Sequence, residues 1–168
     1  TQVGLSDKAQ YLLDVAGSNI RKLNAITAQL LDFKKIDSRK AKVNIEPINL
    51  NYLLSEELSC FSNIGEKRGI SLCLNVPDEQ VVISADRHLL ELMLDNLMSN
   101  ACKYTNRGGK VEVSLTASKS KAMIKIADTG IGIPEKEQKN IFANVYRAEN
   151  ARASQETGNG FGLLQVKR

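Results

Sequence analysis

The stretch Ala85–Thr105 reads A-D-R-H-L-L-E-L-M-L-D-N-L-M-S-N-A-C-K-Y-T. It holds neither proline nor glycine, and its apolar residues return every three or four positions, so a helix is predicted over Asp86–Tyr104. Leu90, Leu94, Leu97 and Ala101 form the expected core face. Asn96, Asn100 and Lys103 fall at i, i+4 and i+7 on another face. An amide oxygen there can ligate Mg²⁺, which takes oxygen ligands and shares phosphate oxygens with its partner. A lysine one turn on can neutralise the same phosphates. A solvated helix face explains the spacing equally well, and these residues alone do not decide between the two.

Working outward, Asn106-Arg107-Gly108-Gly109 is a turn, and Val111–Ala117 with Ala122–Ala127 alternate as a hairpin. Asp128-Thr129-Gly130-Ile131-Gly132-Ile133 follows the second strand. Glycines there let the backbone approach a flat ligand. A carboxylate at a strand end can accept from an exocyclic amine such as that of adenine. An ordinary turn is the alternative. D-T-G also occurs in aspartic proteases, but those need a second such aspartate, and this chain has one D-T-G. Pro134 opens a short predicted helix through Phe142, and residues 144–159 are polar without pattern. Gly158-Asn159-Gly160-Phe161-Gly162-Leu163-Leu164 then precedes a last helix. Glycine at every second position frees N–H groups for phosphates, and a helix N-terminus adds its dipole. Alone, the motif is also compatible with a merely flexible loop.

Upstream, Lys42–Pro47 is expected to be a short strand ended by Pro47. Asn49 should cap a helix over Leu50–Lys67, with Gly69 at its C-terminal end. Ile70–Val76 and Val81–Ser84 are predicted strands around a Pro77-Asp78 turn. Strands and helices mix without strict βαβ order, which favours an α+β fold, a two-layer sandwich with sheet on one side and helices on the other. At the N-terminus Ser6-Asp7 is a good helix start, and Leu13, Ala16, Ile20, Leu23 and Leu30 make one stripe toward Asp37. Such a helix is roughly 48 Å long, against about 40 Å for a compact globule of the whole chain. It is expected to pack in a helical bundle, the alternative being a helix folded back on its own domain, with Ser38-Arg39-Lys40 as its exit. The domains are then 1–40, a bundle helix, and 41–168, the sandwich.

Composition narrows the function. The chain has 168 residues, 42% hydrophobic and 25% charged, in the range of soluble globular proteins. No apolar run exceeds three residues, so no membrane contact is expected. The charge of +4 is spread out and aromatics are 5%, so no nucleic-acid surface is expected. His88 is the only histidine, which excludes a multi-histidine metal site. Cys60, Cys73 and Cys102 form no CxxC pair, so they are expected to be reduced, buried thiols.

In order and spacing, three segments resemble the ATP-binding domain of sensor histidine kinases, within the wider family of gyrase and MutL ATPases (the Bergerat fold). N-L-M-S-N-A-C-K-Y (96–104) is similar to the N box, and D-T-G-I-G-I (128–133) to the first glycine box. Ile141-Phe142 with Val145-Tyr146-Arg147 is similar to the F box, and G-N-G-F-G-L (158–163) to the second glycine box. The long helix resembles the second helix of the kinase dimerisation bundle. The resemblance implies an Mg²⁺-ATP site: Asn100 on Mg²⁺ with Asn96 beside it, Lys103 and Arg147 on phosphates, and Tyr104 near the nucleotide. Asp128 would take the adenine amine, Gly130 and Gly132 would shape its pocket, and Ile131 between them would belong to the ATP site. Phe142 belongs to the F box, and residues 143–159 would form a lid. Gly158, Gly160 and Gly162 would close on the phosphates, and Phe161 and Leu163 of the same box would belong to the ATP site. It also implies a homodimer through the bundle, a response regulator receiver domain as partner, and a cytoplasmic location, whether or not the parent is anchored in the inner membrane.

One position separates kinase from ATPase. The gyrase-type relatives carry a glutamate where this chain has Asn96, and an amide takes no proton at neutral pH. The site therefore looks built to hold ATP for transfer. The chain also departs from the family. The acceptor histidine of the first bundle helix has no counterpart, since His88 stands in the ATP domain and is expected to be structural or exposed. The family would continue past Arg168 with more helix and further strands. The expectations are a C-terminally incomplete domain with an unpaired edge at Ala122–Ala127, and a chain that does not phosphorylate itself. Rival readings are a regulatory pseudokinase and an anti-sigma-factor-like serine kinase.

Overall fold

The computed structural model describes residues 8, 9, 11–13, 15–17, 19, 20, 23, 27, 43–142, 146–154, 156, 160 and 162–166. The chain divides into two compact units, Thr1–Ala41 and Lys42–Arg168. In the first, the described residues between 8 and 27 are helical, and Tyr11, Leu12, Leu13, Ile20 and Leu23 are exposed. The expected helix end near Asp37 and the exit at Ser38–Lys40 lie outside the described residues.

The second unit begins with β1 (Glu46–Asn49) and α1 (Leu50–Arg68). Asn49 caps α1 as expected, its side chain accepting from Tyr52 N, and Gly69 ends it in the left-handed conformation. Then come β2 (Ser71–Asn75), β3 (Val82–Ala85), α2 (Arg87–Tyr104), β4 (Lys110–Ala117) and β5 (Ala122–Asp128). A 3₁₀ turn at Glu135–Glu137 and two short helices, α3 (Glu149–Ala153) and α4 (Gly162–Val166), complete it. The architecture is the expected α+β sandwich, helices packed on a mixed sheet.

The strands form two ladders rather than one sheet. β1 pairs antiparallel with β3, while β2 runs parallel to β4 and β4 antiparallel to β5. β2 and β3 flank the Pro77-Asp78 turn without pairing to each other. Among the described residues β5 is bonded only to β4.

Four expectations change. Pro47 stands inside β1, opposite Ser84, instead of ending a strand. Among the described residues β1 is bonded on one side only, so the nitrogen without a proton need not face a partner. The helix expected from Pro134 to Phe142 is a single 3₁₀ turn held by Glu137 N→Pro134 O and Asn140 N→Glu137 O. On α2, Leu94, Met98, Ala101 and Cys102 enter the core and Leu90 packs against it, whereas Leu97 is only half-buried. Met98 takes the place expected for Leu97 because α2 is enclosed from two directions, by α1 and β5 and by α4. Of the cysteines, all free, only Cys102 is buried; Cys60 is exposed and Cys73 half-buried.

Two devices aim α2. Asp86 accepts from Leu89 N as N-cap and from Asn44 N before β1, and these bonds lower its pKa. Arg87 then bridges the helices, reaching Glu56 on α1 at 2.9 Å and Glu91 on α2 at 2.7 Å. At the other end buried Thr105 returns its hydroxyl to Ala101 O. The core of α1, α2 and β4 fixes the helix between these ends.

Candidate functional site

The polar face of α2 meets the last glycine motif. Asn96 is 9% exposed, and its Nδ2 donates to Leu92 O at 2.8 Å, so the amide oxygen is presented away from its own helix. Gly162, the first residue of α4, lies against it. A side-chain carbon at Gly162 would stand 2.7 Å from Asn96 Oδ1 and 3.7 Å from Asn100 Nδ2. Only glycine lets the two segments approach this closely. Asn100 is half-buried one turn further on. Lys103 follows, its ammonium 5.0 Å from the centre of the Tyr104 ring, a cation–π contact that holds the charge at the helix end.

The first glycine motif docks on the same helix end. Asp128 closes β5, is exposed, and accepts from Gly130 N at 2.9 Å. Ile131 N donates to Tyr104 O at 3.1 Å, which fastens the loop to the last turn of α2. A β-carbon at Gly130 would lie 2.4 Å from Tyr104 O and 2.7 Å from Asp128 Oδ1, so glycine is required there too. Ile131 and Gly132 are exposed, and their carbonyls accept from Asn150 Nδ2 at 3.2 and 2.8 Å. Phe142 is exposed beyond the 3₁₀ turn.

Arg147 donates through Nη2 to Ala151 O and Glu156 O, while its Nε is buried and has no partner among the described residues. Arg68, at the end of α1, donates to Lys103 O at 2.8 Å and to the Glu156 carboxylate. Gly160 lies beside the Tyr146 backbone, and Leu163 is half-buried in α4. Gly158 and Phe161 lie outside the described residues. His88 is exposed near the start of α2. No group of three or more His, Cys, Asp or Glu able to hold a metal occurs among the described residues. No helix among them is long and apolar enough to cross a membrane.

Sequence reasoning missed Arg68, Glu137, Asn150 and Glu156. Each is a common polar residue outside the glycine and asparagine motifs, and only its partner across the fold distinguishes it.

Residues 85–168 match the family of histidine kinase-, DNA gyrase B- and HSP90-like ATPases, and the chain belongs to that family. It is 30% identical over 163 residues to the sensor histidine kinase WalK of Bacillus subtilis, covering 96% of this chain and 26% of WalK. The chain thus spans about a quarter of that relative's length. The solved catalytic domain of the histidine kinase ThkA is 26% identical with a TM-score of 0.64, over 74% of this chain and 78% of that one. ThkA in complex with the response regulator protein TrrA shares the fold, with a TM-score of 0.71 at 22% identity over 88% of this chain and 43% of that one.

Proposed function

We propose that the chain binds Mg²⁺-ATP and passes the γ-phosphate to a histidine of a helical bundle, as the catalytic domain of a two-component sensor histidine kinase. The observation that carries this reading is the meeting of both glycine motifs on one helix. Gly162 lies against Asn96 and Asn100, and Gly130 with Ile131 lies against Tyr104 at the end of that helix. Adenine would sit by Asp128 and the phosphates by Asn100 and Lys103.

The donor set suits Mg²⁺. One amide, Asn100, with phosphate oxygens and waters is the kind of shell this ion accepts, and a dedicated carboxylate cage is not needed. When bound, the ion neutralises phosphate charge. Lys103 adds a cation, and the unpartnered Nε of Arg147 is a donor suited to an anion. Asn96 takes no proton from water, so nothing at that position promotes hydrolysis. Phosphoryl transfer needs positioning and charge neutralisation above all, and these residues supply both. The acceptor would lie on a separate segment, since His88, the only histidine here, is exposed on the N-box helix. Homodimerisation through the bundle and a response regulator receiver domain as the next phosphate acceptor belong to the same proposal.

Calorimetry with ATP, with and without Mg²⁺, tests it. Wild type should bind, and Asn100→Ala should lose the Mg²⁺ dependence. Radiolabelled phosphate should pass from ATP to an acceptor-bearing bundle added in trans and not to this chain alone. Absence of binding overturns the proposal, and label on this chain alone overturns the placement of the acceptor.

A further inference from the structure

Glu137 is the only buried acidic residue among the described residues, 5% exposed, and none of the roles above uses it. A buried carboxylate is costly unless its oxygens are bonded. Here one oxygen, Oε2, accepts from Tyr146 OH at 2.9 Å and from Glu149 N at 3.0 Å. The bond to Glu137 also raises the pKa of the Tyr146 hydroxyl. The two donors flank Arg147 in sequence. One carboxylate therefore pins the backbone on both sides of that arginine.

The pinned segment touches both ligand-facing loops. Asn150, one residue past Glu149, donates to Ile131 O and Gly132 O in the first glycine motif. On the other side, Gly160 of the second motif lies on the Tyr146 backbone, where a β-carbon would stand 2.8 Å from Tyr146 O and 3.1 Å from Tyr146 N. The Lys136–Glu149 pair at 3.5 Å is exposed and contributes little by comparison. Glu137 thus holds a stretch that touches both glycine motifs, separate from their meeting on α2.

We infer that Glu137 is a positioning residue: its buried carboxylate fixes the segment 146–150, and so sets Arg147 and Gly160 on the phosphate side of a bound nucleotide without touching it. This inference rests on the ATP reading of the site. It predicts a selective effect. Loss of the carboxylate loosens the phosphate side, while the adenine side keeps Asp128 and the bond from Ile131 N to Tyr104 O.

The test compares ATP, ADP and adenosine binding to the 168-residue chain, wild type against Glu137→Gln, Tyr146→Phe and the double variant. Glu137→Gln should weaken ATP about tenfold, the scale of a hydrogen bond to a charged group, and leave adenosine within about twofold. Tyr146→Phe, which removes one bond and no charge, should shift the ATP-to-adenosine ratio the same way by about threefold. The double variant should fall below wild type by less than the product of the single effects, because the two residues share a bond. If Glu137→Gln does not fold, the ratio in Tyr146→Phe decides. A wild type that discriminates ATP from adenosine, with the ratio unchanged in the variants, overturns the positioning role and leaves the ATP reading standing. A wild type that binds no nucleotide overturns both.

Discussion

Gly162 stands so close to Asn96 that a single methyl group would not fit between them: its carbon would lie 2.7 Å from Asn96 Oδ1. Asn96 cannot swing away freely, because it is buried and bonded to Leu92 O. Overpacking by one methyl costs about 1–3 kcal/mol. In Gly162→Ala the start of α4 must shift from α2, and ATP affinity should fall about tenfold by calorimetry. Unchanged affinity would show that this contact does not shape the phosphate side.

Asp128 is expected to read the base. Its Oδ1 already accepts from Gly130 N, a bond that an asparagine oxygen also makes, so Asp128→Asn should keep the wild-type melting temperature. Its preference for ATP over GTP in competition binding should drop by about tenfold or more, since an acceptor facing the amine is replaced by a group that also donates. Equal preference before and after would remove Asp128 from the adenine pocket.

Leu94 tests the scaffold apart from the site. It is 0% exposed, within the core that α1, α2 and β4 share. Leu94→Ala should lower the unfolding free energy by about 2–5 kcal/mol in urea denaturation. A cost under about 1 kcal/mol would mean that the core around α2 refills the space.

A pH effect follows from Glu57 on α1. Burial raises its pKa first, and the charges of Asp95, Glu91 and Glu56 raise it further, with Arg87 opposing. A carboxyl whose folded pKa is raised binds its proton more tightly in the folded state. Its stabilising contribution is full below the unfolded value of 4.5 and is lost as pH rises through the folded value. Glu57→Gln should therefore melt higher than wild type at pH 7, with the difference shrinking as pH is lowered toward 4.5. A constant difference across that range would assign the effect to packing instead of charge.

The parts legible in the sequence are those whose causes are local. Asn49 and Gly69 mark the ends of α1 because a cap and a left-handed turn need only neighbouring backbone groups. The α2 helix and the β4–β5 hairpin announce themselves by period. The order of the asparagine, aspartate and glycine motifs identified the family before any distance was measured. Pro47 misled, because a proline ends a strand only when its nitrogen must face a partner, and among the described residues β1 has a partner on one side alone. The segment after Pro134 misled for another reason: Glu137 turns inward to Tyr146 and Glu149, 9 and 12 residues on, beyond the spacing that helix period and capping read.

By itself the sequence determined where most helices and strands would form, which family the chain belongs to, and which residue types were available for a nucleotide. Only the tertiary structure decided that β2 lies parallel to β4 while β3 pairs with β1, that Gly162 packs on Asn96, and that the Glu137 carboxylate accepts from Tyr146 and Glu149. The physical reason is range. Period and capping act over a few residues, whereas parallel pairing, close glycine contacts and a buried carboxylate's partners depend on segments far apart in the chain.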